Sequence, residues 1–188
     1  NPCKMIKRSK EPAPRLRVLE DDEYNRLLQA CKQVDIIYLE KAFVFSIETT
    51  MRQGELLNAM WEHVNFDKRT LFIPDTKTGY LSKDLTSNRT IPLGSLAIKT
   101  LRSLPRHISG RIFPITRDQL NQKWKLAKKK ANIKDYHFHD NRCTGISWAF
   151  EKKNLEVSEV MTLSGHKSPT ILLKRYTKLN PTKIAMKI

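Results

Sequence analysis

The 188-residue sequence has few acidic side chains, only three cysteines, and no long hydrophobic run. Nineteen Asp and Glu residues stand against 35 Lys and Arg residues, which gives a formal net charge of +16. A missing apolar run excludes a membrane-spanning helix, and no basic amphipathic helix ends the chain, so a membrane partner is not expected. The excess of positive charge instead predicts nucleic acid as the partner.

The three cysteines are Cys3, Cys31 and Cys143. They lie too far apart for a C-x-x-C metal knuckle, and their odd number would leave one thiol unpaired. His63, His107 and His137 likewise have no partners at metal-ligand spacing. We therefore expect a reduced, cytoplasmic protein with no metal and no cofactor.

Residues 1–17 combine basic side chains with three prolines, a composition that disfavours helices and packed sheets. Neither an initiating Met nor a first hydrophobic element is found there, and no signal peptide is recognisable. This composition predicts an interdomain linker and a chain that is a fragment of a longer protein. Because 39% of residues are hydrophobic, residues 18–188 are expected to form one domain with its own core.

The hydrophobic pattern predicts helices on both sides of a short β segment. A helical repeat and a long apolar stretch cover residues 20–50, and "RQGELLNAM" predicts a short helix. The segments "RTLFIPDTK" and "NRTIPL" are typical of strands, and a polar loop joins them. Helical spacing returns in "TRDQLNQKWKLAKKKA", with its lysines largely outward, in residues 140–153, and in a final group of short helices. The predicted fold class is mainly helical α+β with a small antiparallel hairpin or sheet.

Two pairs of polar residues have the spacing of neighbours on a helix. Arg52 and Glu55 are three apart, so the carboxylate can hold the guanidinium in a fixed direction. His139 and Arg142 are spaced in the same way near a predicted helix N-terminus, where an anion is favoured. Each pair alone also fits an ordinary surface interaction.

A third stretch, "GHKSPTILLKRY", adds a tyrosine among cations, and the combination matches what phosphodiester cleavage by a tyrosine requires. When a phenol oxygen attacks phosphorus, negative charge builds on the non-bridging oxygens. Two guanidiniums can stabilise this charge through paired hydrogen bonds. The phenol must lose a proton and the leaving 5′ oxygen must gain one, and Lys and His side chains can fill these roles.

These stretches together resemble the catalytic domain of the tyrosine recombinase (phage integrase) family over roughly residues 18–180. "TTMRQGELL" and the hairpin segment with "TKTG" are similar to the first arginine box and the lysine-bearing hairpin of that family. "FHDNR" is similar to its His-x-x-Arg box, "SGHKS" to its third box, and the following "RY" to its nucleophile. Four motifs in the same order make the resemblance specific.

The resemblance implies a phosphate clamp formed by Arg52 and Arg142, with Glu55 positioning the first arginine. His166 would hydrogen-bond the scissile phosphate, and Tyr176 would form a covalent 3′-phosphotyrosyl bond.

The proton transfers follow from the same resemblance. His139 would help to accept the tyrosine proton, and Lys77 would protonate the leaving oxygen. No metal or ATP would be needed, because the phosphotyrosyl bond preserves the energy of the phosphodiester.

The implied activity is site-specific cleavage and rejoining of double-stranded DNA by a bacterial or phage-encoded enzyme. Joining two duplexes needs four active sites, so further copies of the protein, as a tetramer on DNA, are expected partners, together with an N-terminal core-binding domain. A type IB topoisomerase-like enzyme and a non-catalytic DNA-binding module are the alternatives.

Three positions depart from the family pattern. His166 and Tyr176 are ten positions apart, one more than the family pattern leads us to expect. The loop between the strands contains Lys83 as a rival to Lys77. Cys143 stands where the family often has histidine, and it is expected to be a small buried side chain.

Overall fold

The computed structural model describes residues 16–34, 36–74 and 88–176. Within this part of the chain, mostly helical elements surround one small sheet, which confirms the predicted fold class. The elements in chain order are α1 (Asp21–Lys32), α2 (Ile37–Thr49), α3 (Gln53–Leu57), a 3₁₀ turn (Trp61–His63), β1 (Val64–Asn65), β2 (Thr70–Ile73), β3 (Arg89–Pro92), α4 (Ser95–Arg102), α5 (Arg117–Lys130), α6 (Asp140–Glu151), α7 (Val157–Ser164) and α8 (Pro169–Tyr176). Across the described ranges, none of the helices has the length and hydrophobicity needed to span a bilayer.

Helix α2 forms the centre of the domain, as its nearly continuous apolar sequence predicts. Eight of its residues are buried, and α1, α4 and α6 pack around it. At Gly145 the backbone of α6 crosses so close to α2 that an added Cβ would lie 2.2 Å from the carbonyl oxygen of Ile47. Only glycine permits this approach, which sets the middle of α6 beside the end of α2.

The sheet has the strand order β1-β2-β3, and both pairs of strands are antiparallel. The two predicted strands are therefore confirmed, and β1 is a short addition that the sequence pattern did not indicate. Ile73 pairs with Arg89, so this end of the β2–β3 pair flanks residues 75–87. Pro92 is tolerated because β3 lies at the edge of the sheet.

Helix α5 begins with a capping box between Thr116 and Gln119 and then buries Leu120, Trp124 and Ala127, as its spacing predicts. Lysines occupy the opposite face, where Lys125 and Lys129 are exposed. The predicted division of this helix into an apolar and a basic face is confirmed.

A second, smaller hydrophobic core lies where α6, α7 and α8 meet. Cys143 is one of its members, which confirms the prediction that this thiol is buried. Tyr176, the last residue of α8, belongs to the same core and is only 7% exposed. The ring of the candidate nucleophile is therefore also a packing element.

Candidate active site

The predicted contact between Arg52 and Glu55 is present, but its geometry differs from two side chains within one helix. Arg52 is the N-cap of α3, and Glu55 lies in the first turn. Oε2 of Glu55 accepts a hydrogen bond from the backbone N–H of Arg52, and Oε1 accepts one from Nη1, both at 2.8 Å. One carboxylate thus caps the helix and orients the guanidinium, whose side chain remains 46% exposed.

A third arginine, which no sequence motif indicated, reaches the same carboxylate. Arg89, the first residue of β3, donates from Nη1 to Oε1 of Glu55 at 2.9 Å and from Nη2 to Oε2 at 2.8 Å. The only sequence signal was a basic residue at the start of a strand, which is common and not specific.

These contacts stabilise the ionised form of Glu55. Burial alone would raise the pKa of this carboxyl, but hydrogen bonding and attraction from Arg89, together with the hydrogen bonds from Arg52, lower its pKa to about 2. Glu55 is therefore ionised throughout the neutral range.

Arg142 is buried at the start of α6 and is anchored by two backbone carbonyl groups. Its Nη1 donates to the oxygen of Thr50 at 2.5 Å, and its Nη2 donates to the oxygen of Ser164 at 2.7 Å. Thr50 ends α2 in the left-handed region, with φ of 52°, so its carbonyl is turned out of the helical direction. Arg142 therefore connects the segment before Arg52 with the end of α7.

Repulsion from the other arginines acts on this buried guanidinium. Burial first, and then the positive charge of Arg52, lower the pKa of Arg142 to about 10, while Glu55 and Tyr176 act in the opposite direction. The group remains protonated at neutral pH. These mutual effects place the two predicted clamp arginines and the predicted nucleophile in one electrostatic environment.

His139 is exposed and forms the N-cap of α6, and its carbonyl accepts a hydrogen bond from the backbone N–H of Arg142. The nearby Asp140 instead accepts a hydrogen bond from the backbone N–H of His137 at 2.7 Å. The predicted His-x-x-Arg box thus forms a helix start, with its histidine outward and its arginine inward.

His166 and Tyr176 contact each other despite their ten-residue separation. Their rings meet edge to face with centroids 5.9 Å apart. Nδ1 of His166 lies 2.7 Å from Oγ of Ser164, which fixes the imidazole orientation. The Tyr176 hydroxyl lies 3.8 Å from Sγ of Cys143. The additional residue is accommodated without separating the two predicted site residues.

The predicted lysines Lys77 and Lys83 lie in residues 75–87, outside the described residues. The strand that follows this segment, β3, begins at Arg89, which contacts Glu55. In the described part of the chain, no cluster of three or more His, Cys, Asp or Glu side chains could hold a metal ion.

The arrangement is suited to an anion. Two guanidiniums bind a single carboxylate, and the charge of that carboxylate also acts on a third, Arg142, so the cluster retains an excess of positive charge. Planar guanidiniums bind phosphate oxygens through paired hydrogen bonds, and a partly buried setting strengthens such contacts.

The chain is similar to known proteins in both sequence and fold. The sequence profile of the phage integrase family matches residues 17–183. A shufflon-specific DNA recombinase of Escherichia coli is 33% identical over the whole chain, which covers 47% of that protein. The integrase of Salmonella phage P22 is 24% identical over 92% of the chain and 47% of its own length. The chain thus spans about half the length of these curated relatives.

Solved structures share the fold. A lambda integrase dimer bound to a COC′ core site superposes with a TM-score of 0.72 at 20% identity, over 90% of this chain and 50% of that one. The catalytic domain of bacteriophage HP1 integrase gives 0.68 at 18% identity, over 92% and 95% of the respective chains. With a family profile matched across nearly its full length and a relative above 30% identity, this chain belongs to the phage integrase family of tyrosine recombinases.

Proposed function

We propose that this chain is the catalytic part of a site-specific DNA recombinase that cleaves and rejoins strands through a covalent 3′-phosphotyrosyl intermediate. The observation that carries the proposal is the convergence of Arg52, Arg142, His166 and Tyr176 from separate segments of the chain. A non-catalytic DNA-binding module would need surface charge but not a buried arginine aligned beside a tyrosine.

In the proposed reaction, the Tyr176 oxygen attacks the scissile phosphorus while its proton passes to a base, for which exposed His139 is the candidate. The bond from phosphorus to the 5′ oxygen breaks, and Lys77 gives that oxygen a proton. Tyr176 is only 7% exposed, so its hydroxyl must become accessible before it can attack. Rejoining is the reverse sequence, with a 5′ hydroxyl as the nucleophile.

The arginines stabilise the charge that develops during this step. A phosphodiester carries one negative charge, and the five-coordinate transition state carries more on its equatorial oxygens. The buried donor Arg142 and the more exposed donor Arg52 are the candidates to bind those oxygens. Preorganised donors of this kind contribute about 3–4 kcal/mol each to transition-state stabilisation.

His166 supports the same phosphate. If Oγ of Ser164 donates to Nδ1, the neutral ring carries its proton on Nε2, the atom that would donate to a non-bridging oxygen. Its ring also packs against Tyr176, so one residue aligns both the phosphate and the nucleophile.

The proposed DNA-binding surface extends from Arg52 along α5. Nε2 of Gln53 donates to Oδ1 of Asn121 at 2.9 Å, which joins the start of α3 to α5. Exposed lysines such as Lys125 and Lys129 continue along that helix and can contact the DNA backbone.

Self-association on DNA is part of the proposal. The lambda integrase structures include a dimer bound to a core site and a tetramer bound to a Holliday junction. By analogy, four copies of the protein would act together on two duplexes. The relative from E. coli is named a DNA recombinase, which favours recombination over a topoisomerase-like activity on one duplex.

The test begins by trapping the protein on DNA in bacterial cells and sequencing the attached DNA. A duplex of that sequence, nicked beside the cleavage point, then loses a short fragment after cleavage and holds the covalent complex. An adduct that survives denaturing electrophoresis supports cleavage by the protein. Strand exchange between two such duplexes separates a recombinase from a topoisomerase, while no adduct rejects both.

A further inference from the structure

The carboxylate of Glu55 is shared by two arginines that use it differently. Arg89 places both terminal nitrogens on both carboxylate oxygens, which is the strong forked geometry. The side chain of Arg52 uses only Nη1 on this carboxylate. The Arg89 and Glu55 side chains are 16% and 10% exposed, whereas that of Arg52 is 46% exposed. Arg89 is thus the inner partner of the carboxylate, and Arg52 is the outer one.

The position of Arg89 is also fixed from the opposite side. A Cβ added to Gly165 would lie 2.8 Å from both Cδ and Nε of Arg89, and Gly165 has φ of 71°. The arginine side chain therefore runs directly against the backbone that precedes His166. One guanidinium connects β3, the start of α3 and the turn after α7.

Because Arg52 and Arg89 share the Glu55 carboxylate, the contacts of Arg89 determine how many N–H donors of Arg52 remain available for a phosphate. An arginine that pairs with a carboxylate through two parallel hydrogen bonds commits both N–H groups of one edge. If Arg89 did not occupy both oxygens, Arg52 could close on Glu55 in this forked manner. The donors that the proposed clamp needs would then be turned away from the DNA.

From this geometry we propose that Arg89 is a positioning residue that saturates Glu55, so that the carboxylate orients Arg52 without capturing it. The inference rests on the proposed function, because it assigns Arg89 to the alignment of the phosphate clamp. Arg89 is not placed on the reacting atoms.

The proposal makes an unusual prediction for combined variants. In the native protein, Glu55→Gln removes the anchor of Arg52 and slows cleavage. In an Arg89→Met protein, the same change removes the group that captures Arg52, and cleavage becomes faster. A purely structural role for Arg89 would let Glu55→Gln restore the stability of the Arg89→Met protein, because it removes a poorly compensated buried charge, but it would not raise the cleavage rate of the folded protein.

The experiment compares Arg89→Met, Glu55→Gln and the double variant in single-turnover cleavage of the nicked duplex at saturating protein. We expect Arg89→Met to lose about 10²-fold in cleavage rate, as for loss of one aligned donor. The double variant should cleave about tenfold faster than Arg89→Met alone, so the coupling between the two changes exceeds tenfold, because Glu55→Gln slows the native protein; couplings of this size occur between contacting residues.

Arg69→Met is the matched control. Arg69 precedes β2 at the opposite end of the same sheet, and its Nη2 donates to Oγ of Ser95 at 2.9 Å. This variant loses the same charge, so its DNA affinity should fall as much as that of Arg89→Met, with cleavage at saturation unchanged.

Thermal unfolding of each variant shows whether the comparison is between folded proteins. If Arg89→Met is unfolded, Arg89→Lys replaces it, because lysine keeps the charge but cannot occupy both oxygens. The expected result is then that Arg89→Lys with Glu55→Gln cleaves faster than Arg89→Lys alone. Losses that accumulate in the folded pair, or Arg89→Met activity equal to Arg69→Met activity, overturn the inference. An unmodified chain that forms no adduct overturns the proposed function instead.

Discussion

Nη1 of Arg142 lies 2.5 Å from the carbonyl oxygen of Thr50, and this bond joins the start of α6 to the end of α2. Thr50 is fully buried in a left-handed conformation, which is unfavourable for a β-branched residue. The hydrogen bond from Arg142 offsets the cost of this conformation. Without it, the Thr50 carbonyl would be buried beside the unpaired charge of Arg142. The strained backbone at Thr50 therefore helps to hold the candidate catalytic Arg142 in position, and the bond from Arg142 stabilises that backbone in return.

Arg142→Lys should reduce both stability and cleavage. A lysine cannot donate to the carbonyls of Thr50 and Ser164 in the same forked arrangement and still face a phosphate. We expect about 2–4 kcal/mol of lost transition-state stabilisation, measured as the single-turnover cleavage rate. DNA affinity should barely change. Arg102→Lys, at an exposed position near the end of α4, is the control and should leave cleavage unchanged. Equal losses in binding and cleavage would make Arg142 an ordinary phosphate anchor.

The ion pairs of Glu55 should contribute the same free energy of unfolding at every pH near neutrality and lose that contribution only in acid. The pKa of Glu55 is lowered from its ordinary value of 4.5 to about 2, so its contribution is complete above 4.5 and is lost as the pH falls toward 2. The difference in free energy of unfolding between the native chain and Glu55→Gln should be constant from about pH 6 to 8 and shrink below about 4.5. Chemical denaturation at several pH values measures it, and a difference that changes around neutrality would contradict the assignment.

Gly165→Ala should lower the cleavage rate through Arg89. Gly165 and Gly110 both have φ of 71°, so alanine at either position meets the same backbone strain, about 1–2 kcal/mol. At Gly110 the new Cβ would meet the flexible end of Met60 at 3.1 Å, whereas at Gly165 it would collide with Arg89. Thermal unfolding should therefore show losses in both variants, while the nicked-duplex assay should show reduced cleavage only for Gly165→Ala. Equal cleavage by the two would argue against a functional contact.

Lys77 is predicted to protonate the leaving oxygen, although it lies outside the described residues. Lys77→Ala should cleave an ordinary duplex more slowly by a factor of about 10² to 10⁴. The same variant should recover on DNA with sulfur in place of the leaving 5′ oxygen, because a thiolate departs without a proton. If Lys83→Ala is the variant that sulfur rescues, the general acid is Lys83.

Much of the fold could be predicted because its signals are local. The apolar spacing in α1 and α5 and the change of period at the two strands each reflect contacts within a few residues of the chain. The acidic first turn of α1 and the capping box at Thr116 mark helix starts in the same way. The short strand β1 was missed because a strand of two residues is too short to show an alternation of apolar and polar side chains.

The site was only partly predictable because its geometry depends on contacts between distant segments. The motif order indicated Arg52, Arg142, His166 and Tyr176, and the structure brings them together. Arg89 carried no local signal, since its contact with Glu55 exists only through the position of β3 beside α3. The close crossing at Gly145 depends on the path of another helix and is likewise absent from any single stretch of sequence.

The most direct test of the central claim is the formation of covalent adduct by the native chain and by Tyr176→Phe on the nicked duplex, in buffer with EDTA. In the proposed mechanism the arginines act in place of a metal as charge stabilisers, so the native chain should form the adduct with EDTA present. Tyr176→Phe should bind the duplex with nearly native affinity, because one hydroxyl contributes little to a surface dominated by phosphate contacts, yet form no adduct. An adduct that persists in Tyr176→Phe, or one that the native chain forms only when Mg²⁺ is added, would contradict the account.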